Sequence, residues 1–237
     1  MKTTPEPRMK RLYRFMTAEA AGATVTGRTL RIGRINQFND PFEFTVALPR
    51  IGKGWPEKDV DRHLCYLREH FDPRIGVVCF SERIGDPASW GHYADKHRGI
   101  ALGFDFPQDE NLTKVSYAEV RPKFQIDRLD EMTEAAQLAM AKKIVFTKAL
   151  CWRYEREWRM FFDLEHFERY PAIRRIGIEF FCIFPDGMLK EVVLGMHCAV
   201  QPAEVGGWLD KAGLTNVGVS RARRSPTDFK VLTSPVV

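Results

Sequence analysis

Short apolar segments, each bounded by polar or turn-forming residues, set narrow limits on what this chain can fold into. Residues 29–35 (TLRIGRI) alternate apolar and polar side chains with period two, which is typical of a half-buried strand. Residues 74–81 and 99–106 are apolar runs of strand length. None of these runs approaches the roughly 18 residues that a membrane-spanning helix needs, so we expect no membrane association.

Helical and strand-like segments follow one another irregularly, without the regular alternation of a parallel doubly wound sheet. We therefore predict an α+β fold: a single domain over residues 1–237, with residues 1–9 as a flexible leader and a twisted, mostly antiparallel sheet flanked by helices. Helices are predicted over 17–23, 57–71, 87–95, 129–146 and 202–211. Further strands are predicted over 10–16, 113–117, 157–162, 173–184, 191–194, 216–220 and 229–233.

The composition is that of a folded, mildly basic protein. Hydrophobic residues make up 44%, and 17 Phe and 5 Trp are enough for a sizeable core, which excludes disorder. The formal net charge of +5 is small beside 36 basic and 31 acidic residues. Five widely spaced cysteines without a C-x-x-C pair predict buried free thiols and no zinc site, and the polar start lacks a signal peptide, so we expect a cytoplasmic protein.

Four segments place polar residues among aromatic ones, and these hold the candidate site residues. The segments are, in order, LYRF with Tyr13 and Arg14, FNDPFE with Asn39 and Asp40, residues 79–97 with Ser81, Trp90, His92 and Tyr93, and residues 148–160 with Glu155, Glu157 and Arg159.

For the second and third segments the sequence offers other interpretations. In the second, the plain alternative is that Asn39 and Asp40 cap a turn. In the third, a Ser/His/Asp hydrolase is weakly supported because no G-x-S-x-G elbow surrounds Ser81, and metal binding by His92 and His97 lacks the i, i+4 spacing.

The fourth segment is the strongest active-site candidate. If residues 157–162 form a strand, Glu157 and Arg159 share one face of it. A charged pair on the same face as an apolar residue costs desolvation energy, so it needs a structural or a functional reason. The structural reason is an ion pair that fixes the strand; the functional one is a site built around the carboxylate.

The order of these blocks resembles that of the DUF2971 family of uncharacterised bacterial proteins. The quoted blocks are LYRF, FNDPFE, CFSE, W-x-H-Y-A-D-x-H-x-G-I-x-L-x-F-D, WRYEREWR and KEVVLG, and they span Leu12 to Gly195. At greater distance the pattern is similar to the ADP-ribosyltransferase superfamily. That resemblance implies a split antiparallel sheet with NAD in the cleft between its halves.

The distant resemblance also implies roles for particular residues. Tyr13 or Arg14 takes the place of the first-strand polar residue, Ser81 or Tyr93 that of the middle element, and Glu157 that of the late glutamate, with Glu155 in reserve. The catalytic carboxylate stabilises the oxocarbenium-like state formed when the nicotinamide–ribose bond breaks. The sequence departs from the superfamily in having Tyr-Arg at the first motif and a basic residue between the glutamates. The residues implied to bind NAD are Tyr13, Arg14, Asn39, Asp40, Ser81, Trp90, His92 and Arg159.

Three function classes follow from the sequence. The first is an NAD-consuming ADP-ribosyltransferase or glycohydrolase, a toxin or defence effector that modifies protein or nucleic acid. The second is a nucleic-acid-binding protein or metal-dependent nuclease, supported by the basic residues 221–224 and by Asp40, Glu43 and Asp105 as Mg²⁺ ligands. The third is a catalytically inactive ligand-binding protein of the same fold. No G-x-G-x-x-G or P-loop is present, so the NAD site is not expected to be of the Rossmann kind.

Overall fold

The computed structural model describes residues 9–47, 57–107, 112–124 and 126–236. Of the predicted leader, residues 1–8 lie outside the described residues, and Met9 is the first residue of a strand. Within the described ranges every helix is too short or too polar to cross a membrane.

The described residues form thirteen strands and five α-helices. The strands are β1 (Met9–Met16), β2 (Thr29–Arg34), β3 (Ile75–Ser81), β4 (Ile100–Pro107), β5 (Leu112–Lys114), β6 (Ser116–Ala118), β7 (Thr147–Ala149), β8 (Glu157–Asp163), β9 (Ile173–Ile176), β10 (Glu179–Ile183), β11 (Leu189–Leu194), β12 (Gly218–Arg224) and β13 (Val231–Pro235). The α-helices are α1 (Ala18–Gly27), α2 (Glu57–Phe71), α3 (Pro87–Tyr93), α4 (Glu134–Val145) and α5 (Pro202–Ala212). Short 3₁₀ helices cover Ile35–Gln37, Ile126–Glu131, Leu150–Glu155 and Phe167–Arg169.

Eleven of the described strands form one large sheet. Its order is β13-β12-β11-β4-β1-β3-β2-β10-β9, and β8 joins it by pairing with β3 and β5. All of these pairings are antiparallel except that of β11 with β12; β6 and β7 form a separate parallel pair. The prediction of a mixed α and β single domain with a mostly antiparallel sheet is therefore confirmed.

The sheet opens at β3. On one edge β3 pairs with β8 over its whole length, from Ile75 opposite Asp163 to Ser81 opposite Glu157. On the other edge it meets β1 only where Tyr13 faces Ser81, and it meets β2 only around Gly76 and Val77. Strands β1 and β2 therefore share one edge of β3 from opposite ends, and they leave an opening between them.

Helices cover both faces of the sheet. Alternate side chains of β3 point to opposite faces, so this strand contributes to two different cores. Val78 and Phe80 belong to the main core, which also contains buried residues of α1 and α5. Ile75 and Val77 belong to a second core, built with α2 and α4. A smaller third core surrounds Trp90 of α3.

Some of the element boundaries predicted from the sequence, and the predicted burial of two cysteines, were wrong. Residues 173–184 form a hairpin of β9 and β10, because Gly177 adopts a positive φ of 61° and turns the chain. The long helix begins at Glu134, where the Thr133 side chain accepts a hydrogen bond from the N–H of Ala136. Two cysteines, Cys65 and Cys151, are exposed and not buried as expected.

Candidate active site

A cavity of about 350 Å³ lies at the opening between β1 and β2. Its walls come from β1, β2 and β3, and the turn after β2, helix α3 and strands β7 and β8 complete it. We call it the central cavity. The site residues that the structure brings together there are Tyr13, Arg14, Asn39, Ser81, Tyr93, Glu155, Glu157 and Arg159.

Five charged side chains of the cavity wall form a buried ionic cluster, and none is more than 5% exposed. Charges taken out of water this completely need partners, since desolvation costs several kcal/mol per ion. Three carboxylates face two cations, so the cluster carries a net charge of −1. Its members are Glu43, Lys148, Glu155, Glu157 and Arg159.

Arg159 holds Glu157 with two hydrogen bonds, as their predicted position on one face of β8 allows. The Arg159 Nε donates to Glu157 Oε1 at 2.7 Å, and Nη2 donates to Oε2 at 2.9 Å. The guanidinium also donates to Glu43 Oε2 at 2.5 Å and to the carbonyl of Val145 at 2.6 Å. This bidentate geometry fixes the orientation of the Glu157 carboxylate.

Lys148 lies among all three carboxylates of the cluster. Its Nζ is 3.1 Å from Glu43, 2.6 Å from Glu155 and 3.2 Å from Glu157. Burial alone would lower the pKa of Lys148, but the three carboxylates outweigh burial and raise it. Lys148 is therefore a permanent cation at neutral pH.

Two of the three glutamates of the cluster, Glu155 and Glu157, differ in proton affinity. Burial would raise the pKa of Glu157, but Arg159 and Lys148 outweigh it and lower the pKa to about 2. For Glu155, burial prevails over Lys148, and its pKa is raised above the ordinary value. Glu157 is therefore a fixed anion, whereas Glu155 is the carboxylate suited to accept a proton.

Tyr93 connects Glu155 with the turn after β2. Its hydroxyl donates to Glu155 Oε1 at 2.6 Å and accepts a 3.3 Å hydrogen bond from Asn39 Nδ2. Burial raises the pKa of Tyr93, so the phenol keeps its proton. Ser81 secures the same region from β3, because its hydroxyl donates to the backbone carbonyl of Glu155 at 2.6 Å.

Arginines line the central cavity from β1 and β2. The Arg14 Nη2 donates to the carbonyl of Arg31 at 2.9 Å and so bridges the opening. Arg31 pairs with Glu179 at 2.9 Å, and Arg34 donates to the carbonyl of Ile178 at 2.6 Å. The Arg14 Nη1 is buried without a hydrogen-bond partner in the described part of the chain, and burial lowers the pKa of this guanidinium. An unsatisfied cationic donor beside a cavity is suited to an anionic ligand.

Three of the predicted site residues do not line the central cavity. Asp40 is buried and accepts a hydrogen bond from the N–H of Phe42 at 2.9 Å, as a turn residue does. Trp90 is fully buried, donates to the carbonyl of Ile84 at 2.7 Å and packs edge-on against Phe15. His92 is exposed and contacts the ring of Trp152.

The acids suggested as Mg²⁺ ligands are engaged in different places. Glu43 belongs to the buried ionic cluster, and Asp40 to the turn after β2. Asp105 forms an ion pair with Arg11 across β1 and β4. The basic residues 221–224 do not act as one group either. Arg221 is engaged within the chain, because its guanidinium donates to backbone carbonyls, among them that of Cys198 at 3.0 Å.

Sequence reasoning missed Lys148 and the role of Glu43 in the cluster. Lys148 opened the fourth polar and aromatic segment, but it follows no helical or strand periodicity that singles it out. Only the pairing of β6 with β7 and the packing of the turn after β2 place these residues beside β8.

The family model for proteins of unknown function called DUF2971 matches residues 89–160. This segment runs from α3 to β8 and contains six residues of the central cavity: Ser89, Tyr93, Lys148, Glu155, Glu157 and Arg159. No curated protein and no solved structure matches the chain. The resemblance to the DUF2971 family that the ordered blocks predict is thus confirmed over residues 89–160.

Proposed function

We propose that the chain binds NAD in the central cavity and cleaves the nicotinamide–ribose bond, with transfer of ADP-ribose to water or to an acceptor in protein or nucleic acid. The distribution of charge around the cavity carries this proposal. Arg14, Arg31 and Arg34 line it from β1 and β2, while the buried ionic cluster contributes a net charge of −1. NAD has the complementary order of charges, with an anionic pyrophosphate and a cationic nicotinamide ring.

The chemistry of the cavity wall supports this ligand. The volume of about 350 Å³ lies near the lower end of the range of small-molecule sites, which is roughly 300–1,000 Å³. The unpartnered Nη1 of Arg14 offers a donor to a phosphate oxygen. Phe15 and Phe38 are half-buried residues of the cavity wall, and aromatic faces accept flat rings such as nicotinamide.

The residues of the cluster suit heterolysis of the glycosidic bond. The bonding electron pair leaves with nicotinamide, which becomes neutral, and positive charge develops on the ribose. Glu155 and Glu157, which are both almost completely buried, stabilise that charge electrostatically. The raised pKa of Glu155 suits it to take the proton of the incoming nucleophile, while Tyr93 holds it in position.

A second candidate is a binding protein of the same fold that does not turn NAD over. The observation that favours it is the complete pairing of Glu157, whose two carboxylate oxygens are bound by Arg159 and Lys148. A carboxylate held in this way contributes charge but has little freedom to adapt to a reacting ribose. Both candidates predict NAD binding, and only the first predicts chemistry.

The test is incubation of the purified chain with NAD, followed by chromatographic measurement of free nicotinamide. We expect release, and we expect Glu155→Gln to slow it about 100-fold or more, the loss typical of removing one electrostatic contributor. Glu204→Gln, in an exposed position at the start of α5, is the matched control and should leave the rate unchanged. NAD binding without release would select the second candidate, and the absence of both binding and release would overturn the proposal.

A further inference from the structure

A second, open cavity lies beside α3, away from the buried ionic cluster. The loop 225–230 between β12 and β13 forms one side of it, and His97 and His197 line it from two other loops. Arg224, the last residue of β12, also lines it, and among the described residues its guanidinium has no hydrogen-bond or ion-pair partner. In the same loop Lys230 pairs with Asp228 at 2.5 Å. Among the charged side chains that line this cavity, Arg224 is therefore the one left available to a ligand.

The backbone presents His97 in an unusual way. Asp95, Lys96 and His97 have φ angles of 44°, 52° and 68°, a left-handed run that non-glycine residues adopt rarely. Hydrogen bonds hold the run in place: the N–H of His97 donates to the carbonyl of Trp90 at 3.2 Å, and the N–H of His197 donates to the carbonyl of His97 at 3.0 Å. Strained segments that the surrounding structure fixes in this way concentrate at functional sites.

The imidazole of His97 is prepared as a hydrogen-bond donor. Its ring stacks on buried Trp90, with centroids 6.2 Å apart and planes 8° apart. Its Nδ1 is buried without a partner in the described residues, which disfavours a proton on that atom. Burial lowers the pKa of His97, which favours the neutral ring, and a neutral imidazole with its proton on Nε2 offers an N–H donor to an acceptor.

Phe229 gives the surface a stacking group. Its side chain lies in the loop 225–230 and is 100% exposed, and it lines the same cavity as Arg224 and the two histidines. A fully exposed ring beside an unpaired arginine and an imidazole N–H is the combination that binds single strands, because bases stack on the ring while the cation and the N–H donor contact phosphates. An acidic peptide would engage the cations but would have no use for the ring.

We propose that this surface, formed by His97, His197, Arg224 and Phe229, binds single-stranded nucleic acid. The proposal does not rest on NAD turnover, because it uses none of the residues of the central cavity. The two sites are nevertheless neighbours through α3. Trp90 of this helix packs against Phe15 of the central cavity and against His97 of the second surface.

The test is fluorescence anisotropy of a labelled oligo(dT) of about 12 nucleotides, titrated with the full chain at about 50 mM salt. We expect saturable binding that Phe229→Ala weakens about tenfold, as for the loss of one stacked base. Arg224→Glu should also weaken binding and reduce the slope of log K against log salt by about 0.7, the share of one phosphate contact. Both side chains are exposed, so the substituted chains should fold normally.

Phe42→Ala is the matched control. Phe42 is also an exposed phenylalanine, at 60%, but it does not line the second cavity. Its replacement should leave oligonucleotide affinity unchanged. Absence of binding at low salt, or equal weakening by Phe42→Ala and Phe229→Ala, would overturn the proposal. Preference for polyglutamate over the oligonucleotide would overturn it as well and would assign the surface to acidic proteins.

Discussion

Glu155 and Glu157 stand two residues apart, yet their surroundings give them opposite proton affinities. Arg159 occupies both oxygens of Glu157, so the charged form is strongly favoured. Glu155 has Lys148 on one oxygen and the neutral hydroxyl of Tyr93 on the other, and burial prevails. The cluster thus contains one carboxylate more than its cations neutralise, and the excess falls on Glu155.

This imbalance predicts that Glu155→Gln stabilises the fold while it inactivates the site. When folding raises the pKa of a carboxyl group, the folded protein loses stability as pH rises through that pKa. The ionised form of Glu155 is therefore less favourable in the folded chain than in the unfolded chain at neutral pH. The substitution leaves Glu43 and Glu157 against Lys148 and Arg159, with no net charge. We expect the melting temperature to rise by about 2–4 °C, the effect of about 1 kcal/mol in a chain of this size. Thermal denaturation at pH 7 measures it, and a fall in melting temperature would contradict the charge argument.

Glu157 predicts an acid-sensitive component of stability. Its pKa is about 2 in the folded chain against an ordinary 4.5, so its contribution is complete above pH 4.5 and is lost as pH falls towards 2. At 1.36 kcal/mol per pH unit the contribution amounts to about 3 kcal/mol. Urea unfolding at several pH values measures it. In Glu157→Gln the loss of stability between pH 4.5 and 2 should be smaller by this amount. If the free energy of unfolding of the variant falls with pH as steeply as that of the unsubstituted chain, the acid sensitivity belongs to other groups.

At the residue scale, the sequence predicted the Glu157–Arg159 pair because strand alternation is a local rule. It could not predict Lys148 or Glu43 in the same cluster. Their contacts with β8 join elements that are distant along the chain.

At the scale of elements, β3 organises the site. Its apolar run was recognisable, since both faces of the strand are buried. The same criterion failed at residues 173–184, where two strands and their turn all carry apolar residues. It also placed the start of α4 too early, because the 3₁₀ helix Ile126–Glu131 continues a helical spacing that the Thr133 cap interrupts.

The loop junction beneath the second surface depends on glycine packing. A Cβ atom on Gly195 would lie 2.2 Å from the carbonyl oxygen of His97 and 2.7 Å from that of Gly99, closer than real contacts allow. We expect Gly195→Ala to lower the free energy of unfolding by about 1–3 kcal/mol, as overpacking does. Urea denaturation measures the change.

Gly207→Ala is the matched control for this prediction. Gly207 lies within α5, and a Cβ atom there would have no neighbour within 4 Å. Alanine should raise stability by about 0.5–1 kcal/mol through its better helix propensity. Equal effects at the two positions would show that close packing around His97 does not limit the substitution.

At the scale of the whole molecule, the central cavity exists because β1 and β2 share one edge of β3 and diverge. No local pattern encodes that arrangement, since each strand looks ordinary by itself. The fold class followed from the irregular order of strands and helices. A split sheet was implied only by the resemblance to the ADP-ribosyltransferase superfamily, which stays a prediction.

The opposite charges on the two sides of the central cavity predict that NAD⁺ binds more tightly than NADH. The two forms share the pyrophosphate that Arg14 is proposed to bind, but only the oxidised form has a cationic ring for the cluster of net charge −1. A unit charge about 6 Å from the excess carboxylate, at an effective dielectric constant of about 20, gains more than 1 kcal/mol, so we expect a preference of about tenfold or more. Isothermal titration calorimetry with both nucleotides measures the ratio.

Two substitutions separate the contributions to that preference. Arg14→Met should weaken NAD⁺ and NADH by the same factor, because it removes a contact to the shared pyrophosphate. Glu155→Gln should reduce the preference to near unity, because it removes the excess negative charge while it keeps the shape of the side chain. Equal affinities for the two nucleotides in the unsubstituted chain would mean that the net charge of the cluster does not reach the ligand. The nicotinamide ring would then have to bind elsewhere than beside Glu155.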